Sequence, residues 1–578
     1  MPAPAEAPAP VAAPPPADLV NVQIDGVWHK FPKGTRMIEA CKQAKAEVPH
    51  YCYHPKLSSP GNCRMCLVEM GMPPRPAPGT EPEKDEHGMP KIGWMPRPVI
   101  ACANTISEGM GIRTESTLTQ EVRKGVMEFL LINHPLDCPI CDQAGECRLQ
   151  EFSVEHGKGE SRFREEKVKK PKNVDIGPRV RLDDERCIMC SRCIRFSAEI
   201  ADDPVLGFTE RGSHTTLAVH PGKRLENNYS LNTVDICPVG ALTSNDFRFQ
   251  QRVWFLSETN SVCTGCGRGC NMEIGARGDT IYRQTPRDNN AVNSSWMCDQ
   301  GRLDFHFVNS ELRLTDPMLK VGSKHEVTSW KKAIQSIAAA AAGLKGDEIA
   351  IIASARMTNE ELFFVKQLAK TLGTENVDVI PRNGGADNYL RTDDLNPNTN
   401  GAKQILGSEP GSKLAGITEQ MSRGRLRVVL ALGENLLKCG FERRDLEKIG
   451  HLTTLHLLAN ASAEISHVVL PGTSYAEKRG SMINVTGRLQ RLNKAVNAPG
   501  NARDTWEILR DLIVACGGSN GLYSIEDVFS RLAAEVTAFN GLSFAKIDDL
   551  GVSVLETNET VPLLEREKER KAKGIIVG

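Results

Sequence analysis

The sequence of 578 residues lacks any long hydrophobic run. Crossing a bilayer takes roughly 18 consecutive apolar residues, and the Ala-rich run at 337–344 is too short. Residues 1–17 are rich in Pro and Ala but contain no basic residue and no apolar core. We therefore expect a disordered tail there, and neither a secretory signal nor a transit peptide. A chain kept in a reducing compartment would use clustered cysteines for metal in preference to disulfides.

An excess of charge of either sign is also missing. The 71 Lys and Arg residues balance 72 Asp and Glu residues, which leaves a formal net charge of -1. We therefore expect no nucleic-acid partner, and contact with a membrane only through other proteins. No GxGxxG follows a strand-like segment and no GxxxxGK[ST] occurs, so neither common glycine-rich phosphate loop is predicted.

Cysteine, in contrast, is abundant and ordered. Fifteen of the 18 cysteines and one histidine form four successive sets of four potential metal ligands. The sets are Cys52, Cys63, Cys66 and Cys102; His134, Cys138, Cys141 and Cys147; Cys187, Cys190, Cys193 and Cys237; and Cys263, Cys266, Cys270 and Cys298. Several thiolate-rich centres in one chain indicate a protein that conducts electrons, because a single redox centre can only store an electron.

Taken alone, each of the first two sets is compatible with either an iron–sulfur cluster or a zinc ion. The first has the tight pair and distant fourth Cys of plant-type 2Fe–2S proteins, but its first gap is ten residues where that pattern has four. The second, with one imidazole and three thiolates, has a combination also used for zinc. His50 and His54 flank Cys52, and we expect both to be packing or solvent residues.

The third set is the most specific. Bacterial ferredoxins carry two C-x2-C-x2-C-x3-C-P runs, and the fourth Cys of each run ligates the other cluster. Here the four positions that would serve one cluster are occupied by other residues, whereas the other cluster keeps all its ligands. The replaced positions are Ser197, Asn227, Ser230 and Thr233. This pattern predicts a two-cluster ferredoxin fold that has lost one 4Fe–4S cluster, and it argues against zinc.

The fourth set has the spacing C-x2-C-x3-C-x27-C, which alone also permits zinc. The glycines at 265, 267 and 269 favour a tight loop around a bulky group. The remaining thiols, Cys41, Cys439 and Cys516, have no second ligand at metal spacing. We expect them to be small buried hydrophobic residues.

The alternation of apolar runs and helix-like segments predicts an α+β multidomain chain. Short strand-like runs occupy residues 19–116, and a helix over 118–133 is expected to carry Val122, Val126, Phe129 and Leu130 on one face. A Rossmann-like α/β region follows the last Cys set, with strands at 349–352, 377–380, 428–432, 454–458 and 467–470, and helices at 331–344, 359–372 and 502–514.

The motifs HPLDCPICDQAGEC, RCIMCSRCIRF, VDICPVGAL and SVCTGCGRGCNME resemble the large iron–sulfur subunit of respiratory complex I, the NADH:quinone oxidoreductase, in its bacterial type with an additional fourth cluster. The resemblance covers residues 18–310. A weaker one continues through ADNYL, SHVVLPGTSYAEKRGSMINVTGRLQR and DTWEILRDL, which are similar to the molybdopterin-oxidoreductase domain of this family.

The resemblance implies six segments. They are the tail (1–17), a 2Fe–2S ferredoxin-like β-grasp domain (18–115), a His/Cys 4Fe–4S module (116–155), a bacterial-ferredoxin-like 4Fe–4S domain (156–250), an additional 4Fe–4S module (251–310) and a shortened α/β molybdopterin-oxidoreductase-like domain (311–578). It implies one 2Fe–2S cluster on the first set and 4Fe–4S clusters on the other three, with His134 as the unusual ligand. No bond-making active site is expected on this chain.

The resemblance also implies a place in a larger assembly. Electrons would come from NADH through FMN on a flavin-binding partner subunit. They would leave towards quinone through a small ferredoxin-like 4Fe–4S subunit. Other peripheral-arm subunits would be further partners, and the chain would lie peripherally on the cytoplasmic side of the bacterial inner membrane, touching it only through the membrane arm.

Three alternatives remain open. An NAD-linked formate dehydrogenase shares these modules, but GEN at 433–435 is followed by Leu436 where molybdoenzymes usually have Pro, and no Cys lies between 298 and 439. We therefore expect no molybdenum. An iron hydrogenase would need further cysteines downstream, and a zinc-bound scaffold fails to explain the replaced ferredoxin ligands.

The terminal run EREKERKAKG is expected to be a solvated helix end or, less simply, a docking element.

Overall fold

A computed structural model describes residues 18–75, 83–85, 88–519 and 521–577. The expected tail and part of the Pro-rich segment before Cys102 lie outside these residues. Within the described ranges, no helix is both long enough and apolar enough to cross a membrane.

The N-terminal region is a six-stranded mixed sheet packed against one short helix. A hairpin and a helix precede the last strand, which returns beside the first in parallel, pairing Val22–Ile24 with Met110–Ile112. The strand order is β2-β1-β6-β3-β4, with β5 also on β3, and this is the β-grasp arrangement that the resemblance implies. The elements are β1 (Leu19–Ile24), β2 (Val27–Pro32), α1 (Met37–Gln43), β3 (Leu67–Met72), β4 (Gly93–Trp94), β5 (Val99–Ile100) and β6 (Met110–Arg113).

Two helices follow, α2 (Thr117–Leu131) and α3 (Arg148–Glu155). Helix α2 lies where the sequence predicts it, and the Ser116 hydroxyl caps it by accepting from the Thr119 amide. The predicted face is only partly confirmed: Val126 and Leu130 are partly buried against a hydrophobic core. Thr119, Arg123 and Met127 face the interior, whereas Phe129 is 79% exposed.

The next two regions are built on small sheets that hold loops and short helices. The first has the sheets β11-β8-β7 and β10-β9, and the second has the meander β12-β13-β14. Their elements are β7 (Val174–Asp175), β8 (Val180–Leu182), α4 (Arg192–Glu199), β9 (Leu206–Thr209), β10 (Thr216–Val219), α5 (Asn232–Asp235), β11 (Leu242–Ser244), β12 (Ser257–Val262), β13 (Asn271–Arg277), β14 (Thr280–Pro286) and α6 (Asp299–Leu303).

The C-terminal region is an α/β fold around a seven-stranded sheet of order β16-β15-β21-β20-β19-β17-β18. The five strands from β21 to β18 are parallel. The elements are β15 (Met318–Val321), β16 (Lys324–Val327), α7 (Trp330–Ala341), β17 (Ile349–Ala353), α8 (Asn359–Leu372), β18 (Val377–Val379), α9 (Thr399–Leu406), α10 (Leu414–Ser422), β19 (Val428–Leu432), α11 (Arg443–Leu446), β20 (His451–His456), α12 (Ala461–Ile465), β21 (Val468–Pro471), β22 (Gly480–Ile483), β23 (Arg488–Leu492), α13 (Thr505–Ala515), α14 (Ile525–Glu535), β24 (Val552–Ser553) and α15 (Pro562–Ala572).

Local signals explain why the predicted α/β elements are found within three residues of their expected bounds. Helix α8 begins with a capping box between Thr358 and Glu361 and ends at Gly373, whose left-handed conformation stops it. Strand β19 is buried along its whole length, as parallel strands covered on both faces must be.

The terminal helix α15 folds back onto the N-terminal half of the chain. The Glu567 carboxylate, 5% exposed, accepts hydrogen bonds from the Ser294 hydroxyl (2.7 Å) and the Trp296 indole (2.9 Å). Beyond the helix, the Arg36 guanidinium donates to the carbonyls of Gly574 and Ile575. The expectation of a merely solvated helix end was therefore wrong, because one face of α15 is a buried intramolecular contact.

Candidate metal centres

The first set surrounds the loop that leads into β3. Cys52, Cys66 and Cys102 are almost completely buried, and Cys63 is half-buried. The Cys52 thiol contacts those of Cys63 and Cys102, and the Cys102 thiol contacts that of Cys66. The structure thus brings together all four residues that the spacing selects.

The second set lines one cavity. His134 follows α2, Cys138 begins a short 3-10 turn that Cys141 follows, and Cys147 immediately precedes α3 as its N-cap residue. The positive end of a helix dipole favours a thiolate at such a position. Cys138 is exposed, so this cavity lies at the surface of the chain.

His134 is poised as a neutral ligand. Burial, reinforced by the nearby Arg186 guanidinium, lowers the pKa of His134 to about 4, so its imidazole is uncharged at neutral pH. Its Nδ1 is buried and makes no hydrogen bond to the described residues. A buried nitrogen left without a partner is costly unless it binds something, and neutral imidazole is the form that ligates metals.

The third set also lines one cavity, between β11 and the start of α4. Its four cysteines are joined there by apolar side chains, including Ile188, Leu217 and Val239. Met189 and Ser191, in the ligand loop, both have left-handed backbone conformations. The loop therefore accepts backbone strain, and it places the Met189 amide 3.5 Å from the Cys187 sulfur.

The four replaced ferredoxin positions carry hydrogen-bonded side chains. The Ser197 hydroxyl donates to the Asp203 carbonyl, and the Asn227 amide donates to the Asp203 carboxylate at 2.9 Å. The Ser230 hydroxyl donates to Asp299 at 2.5 Å. Polar core contacts stand where the pattern expects thiolates, and Asp299 ties this region to α6.

The fourth set is buried throughout, each cysteine being less than 10% exposed. Cys298 is the N-cap residue of α6, and its sulfur accepts a hydrogen bond from the Gly301 amide (3.3 Å). The Gly265 amide donates to the Cys263 sulfur (3.4 Å). Burial raises the pKa of the Cys263 and Cys270 thiols well above the ordinary value, because desolvated thiolates need a compensating positive charge.

Two glycines let cysteine sulfurs lie directly against the backbone, where a side chain would collide with them. A Cβ on Gly240 would lie 2.3 Å from the Cys141 sulfur, and one on Gly301 would lie 3.0 Å from that of Cys263. Of the three glycines expected to wrap the fourth site, only Gly265 faces a thiol; Gly267 and Gly269 instead allow contact with Val485 and Gln490. The donor sets, the unpartnered imidazole and these glycines fit iron–sulfur clusters.

Ligands of a cluster surround a cavity, because a cluster is wider than one ion. Among the described residues, no three His, Cys, Asp or Glu side chains converge on a position that one metal ion could occupy.

One hydrophobic core contains members of each of the first three sets, whereas Cys66 and Cys102 lie in a second core and Cys193 lies in a third. Members of each, namely Cys52, Cys147 and Cys190, pack with Tyr51 and Met65 in a single cluster of buried side chains. Members of the fourth set belong to a different core, which also contains Phe196 and Trp296.

Arg195 connects the first set to the third. Its guanidinium donates to the carbonyl of Cys52 (2.5 Å) and to that of Cys190 (3.5 Å). It also donates to the Ser58 carbonyl. Sequence reasoning missed this residue, since the contact spans 143 positions and no local pattern marks it.

The other residues singled out by the sequence have packing roles. His50 lies against Tyr53, and His54 stacks on Trp296 with ring centroids 5.3 Å apart. Cys41 is fully buried as expected, whereas Cys439 and Cys516 are only half-buried.

Five family models match the chain in the order of these regions. They describe a 2Fe–2S iron–sulfur cluster binding domain (17–117), an NADH-ubiquinone oxidoreductase-G iron–sulfur binding region (123–162) and an NADH-quinone oxidoreductase subunit 3 ferredoxin-like domain (177–243). A molybdopterin oxidoreductase Fe4S4 domain (256–310) and the molybdopterin oxidoreductase family (313–393 and 395–515) follow.

Curated relatives carry the corresponding names. The NADH-quinone oxidoreductase G subunit of Rickettsia felis is 39% identical over 361 residues, which cover 62% of this chain and 50% of the relative. Its namesake in Rickettsia prowazekii is 33% identical, covering 85% and 70%. The mitochondrial NADH-ubiquinone oxidoreductase 78 kDa subunit of Neurospora crassa is 31% identical, covering 85% and 80%. The chain thus spans about half the length of some curated relatives and most of others. It belongs to the family of large iron–sulfur subunits of NADH-quinone oxidoreductase.

Proposed function

We propose that this chain is an electron-transfer subunit of a proton-translocating NADH:quinone oxidoreductase. The observation that carries the proposal is the hydrophobic core that contains members of each of the first three ligand sets. A storage or structural site needs no such continuity, whereas electron transfer between centres needs them close together in a dry medium.

The proposed cofactors are one 2Fe–2S cluster on Cys52, Cys63, Cys66 and Cys102, and 4Fe–4S clusters on the three following sets. When bound, such clusters take up and pass on single electrons. We propose that the α/β region is a scaffold without molybdenum and that no bond is made or broken on this chain.

The residues of the chain then have physical roles. Buried thiols and the apolar side chains around them exclude water. The neutral His134 imidazole brings one negative charge fewer than a thiolate, which raises a centre's potential. The Gly265 and Gly301 amides donate to sulfur, and such hydrogen bonds also tune potential.

The partners belong to the same proposal. A flavin subunit would deliver electrons from NADH, and a small ferredoxin-like 4Fe–4S subunit would carry them towards quinone, beside other peripheral-arm subunits. The chain would lie peripherally on the cytoplasmic side of the bacterial inner membrane. Cys138, exposed in the second set, marks one place where a redox partner could approach a centre.

The test is the metal content of anaerobically purified protein. One 2Fe–2S and three 4Fe–4S clusters amount to about 14 iron atoms per chain with matching sulfide, and no molybdenum or zinc is expected. About 10 iron atoms would mean that one tetranuclear site is empty. Stoichiometric molybdenum together with formate oxidation would overturn the proposal in favour of a formate dehydrogenase.

A further inference from the structure

The loop between the first two ligands of the first set is held by distant parts of the chain. Cys52 and Cys63 are separated by ten residues. This loop, 53–62, lies wholly within the described residues and contains no helix or strand. Without a ladder of backbone hydrogen bonds, its path depends on contacts with other segments. Because a ligand stands at each end of the loop, whatever fixes its path also fixes the relative positions of two thiols.

One segment that holds this loop is 562–577, here called the α15 segment, which comprises α15 and the residues that follow it. The Arg570 guanidinium donates to the Lys56 carbonyl at 3.4 Å. The Val577 amide donates to the Pro55 carbonyl at 3.1 Å. Two residues of the α15 segment thus bind two consecutive carbonyls of the loop, and these contacts span more than half of the chain.

The middle of the loop is buried against the same segment. The Lys56 ammonium, in a side chain that is 6% exposed, lies 3.4 Å from the Glu567 carboxylate. Leu57 is 1% exposed and belongs to the same hydrophobic core as Leu563 of α15. A buried charge must remain paired, so this ion pair resists any movement of the loop away from α15.

A chain of polar contacts continues from α15 to a ligand residue. Arg570 also pairs with Glu199, and the Glu199 carboxylate accepts from the amide (3.0 Å) and the hydroxyl of Ser58. The Ser58 carbonyl in turn accepts from Arg195, whose guanidinium donates to the Cys52 carbonyl at 2.5 Å. Arg570 is therefore linked to Cys52 through three side chains.

A second link reaches the fourth ligand of the same set. The Arg36 guanidinium donates to the Cys102 carbonyl at 3.1 Å, and also to the carbonyls of Gly574 (3.1 Å) and Ile575 (3.2 Å). The Ser59 hydroxyl of the loop donates to the same Cys102 carbonyl at 3.0 Å. One cation is thus shared between a ligand residue and the α15 segment.

We propose that the α15 segment is a positioning element of the first redox centre, which holds the loop 53–62 in the conformation that keeps the four ligands together. Its contacts reach two of the four ligand residues, Cys52 and Cys102, by independent routes. A ligand loop held in this way limits the access of solvent to the centre. This role rests on the proposed function, because it concerns the 2Fe–2S centre assigned there.

The experiment measures the release of iron from the full, anaerobically purified chain to a ferrous-iron chelator. In Arg570→Gln, which loses the contacts with Glu199 and the Lys56 carbonyl, about two iron atoms per chain should be released roughly threefold faster or more, and the others at the parent's rate. Hydrogen exchange should accelerate in residues 53–62. Arg570→Lys should be intermediate, because an ammonium can pair with Glu199 but lacks the fork that holds both partners. Lys568→Gln, an exposed cation of the same helix, is the control and should behave like the parent.

Electron paramagnetic resonance identifies the centre that loses iron. A second variant, Arg36→Gln, removes the link to Cys102 and should show the same selective loss, so the test does not depend on a single variant. Parental release rates in both variants, or equal acceleration at all four centres, would overturn the proposal, because the segment would then have no role or only a general stabilising one. A parent without a 2Fe–2S signal would overturn the proposed cofactor as well, so the two failures are distinguishable.

Discussion

Arg195 places a partly buried cation between two proposed redox centres, and this position predicts an electrostatic effect. A nearby positive charge stabilises the reduced, more negative state of a centre and raises its potential. Arg195→Gln should therefore lower the midpoint potentials of both the first and the third centres by on the order of 50 mV, equivalent to roughly 1 kcal/mol for one electron. Potentiometric titration followed by electron paramagnetic resonance (EPR) measures both shifts.

Two variants separate charge from geometry at this position. Arg195→Lys keeps the charge and should retain most of the potential, although one ammonium cannot bridge the carbonyls of Cys52 and Cys190 as the guanidinium does. Arg181→Gln, on strand β8 of the same region, is the control and should shift neither centre. Unchanged potentials in Arg195→Gln would show that the residue has only a packing role.

Glu360 predicts a pH dependence of stability. It is fully buried and accepts hydrogen bonds from the amide (2.8 Å) and hydroxyl (2.6 Å) of Ser481. Burial raises the pKa of Glu360 to about 7, well above its unfolded value. The native state therefore holds a proton that the unfolded state releases, so this contribution is complete below about pH 4.5 and is lost as the pH rises through 7.

The test compares the parent with Glu360→Gln between about pH 5 and 8. As the pH rises, the free energy of unfolding of the parent should fall by on the order of 1–3 kcal/mol, and the uncharged amide of the variant should abolish this decrease. The difference in apparent Tm between the two proteins isolates this group from the buried histidines, whose lowered pKa values act in the opposite direction. A difference that stays constant with pH would contradict the prediction.

At the residue scale, spacing alone selected the proposed ligands, because most members of each set lie near one another in sequence. The spacing of Cys187, Cys190 and Cys193 is such a local pattern. Gly240 and Arg195 could not be found in this way. Gly240 lies against the Cys141 sulfur, 99 positions away in the sequence, and Arg195 donates to the Cys52 carbonyl, 143 positions away. The glycines 267 and 269 were assigned to a cluster because contacts with the α/β region are invisible in the sequence.

At the scale of elements, we expect the buried contact made by α15 to stabilise the whole chain. Glu567→Ala would leave Lys56, 3.4 Å away and buried, without its carboxylate, and the Trp296 indole without an acceptor. Breaking a buried pair costs roughly 3 kcal/mol or more. We expect a lower apparent Tm and faster hydrogen exchange in α15.

Glu565→Ala is the matched control on the same helix. Glu565 pairs with Lys568 at the surface, and such exposed pairs contribute about 0–1 kcal/mol. The apparent Tm of Glu565→Ala and its rate of hydrogen exchange in α15 should equal those of the parent. Equal behaviour of the two variants would show that α15 is not a stabilising clamp.

The elements also show where periodicity succeeds and fails. Strand β19 and helix α8 agree with their predicted bounds because a continuous apolar run and a capping box are local signals. Helix α2 was placed correctly, but its inner face carries Arg123, which is 2% exposed and donates to the Leu67 carbonyl. Apolar periodicity pointed at Phe129 because it cannot anticipate a buried, hydrogen-bonded guanidinium.

At the scale of the whole molecule, the order of the modules followed from the order of the cysteine motifs. The separation of the fourth set's hydrophobic core from the cores of the first three sets did not, because it depends on how distant segments pack. Trp296, for example, joins the fourth-set core to α4 by packing on Phe196. The return of α15 to the N-terminal half was equally hidden, since its sequence is mostly charged.

This partition predicts that the fourth centre can be removed alone. Cys266→Ser should lower the iron content from about 14 to about 10 atoms per chain and leave the EPR signals of the other three centres unchanged. The reason is that the cysteines of those centres are packed in cores other than that of the fourth set. Cys439→Ser, which changes a thiol outside all four sets, should retain the full iron content. Loss of more than four iron atoms in Cys266→Ser, or a change in the remaining signals, would show that these cores fold as one cooperative unit and that the fourth centre supports the other three.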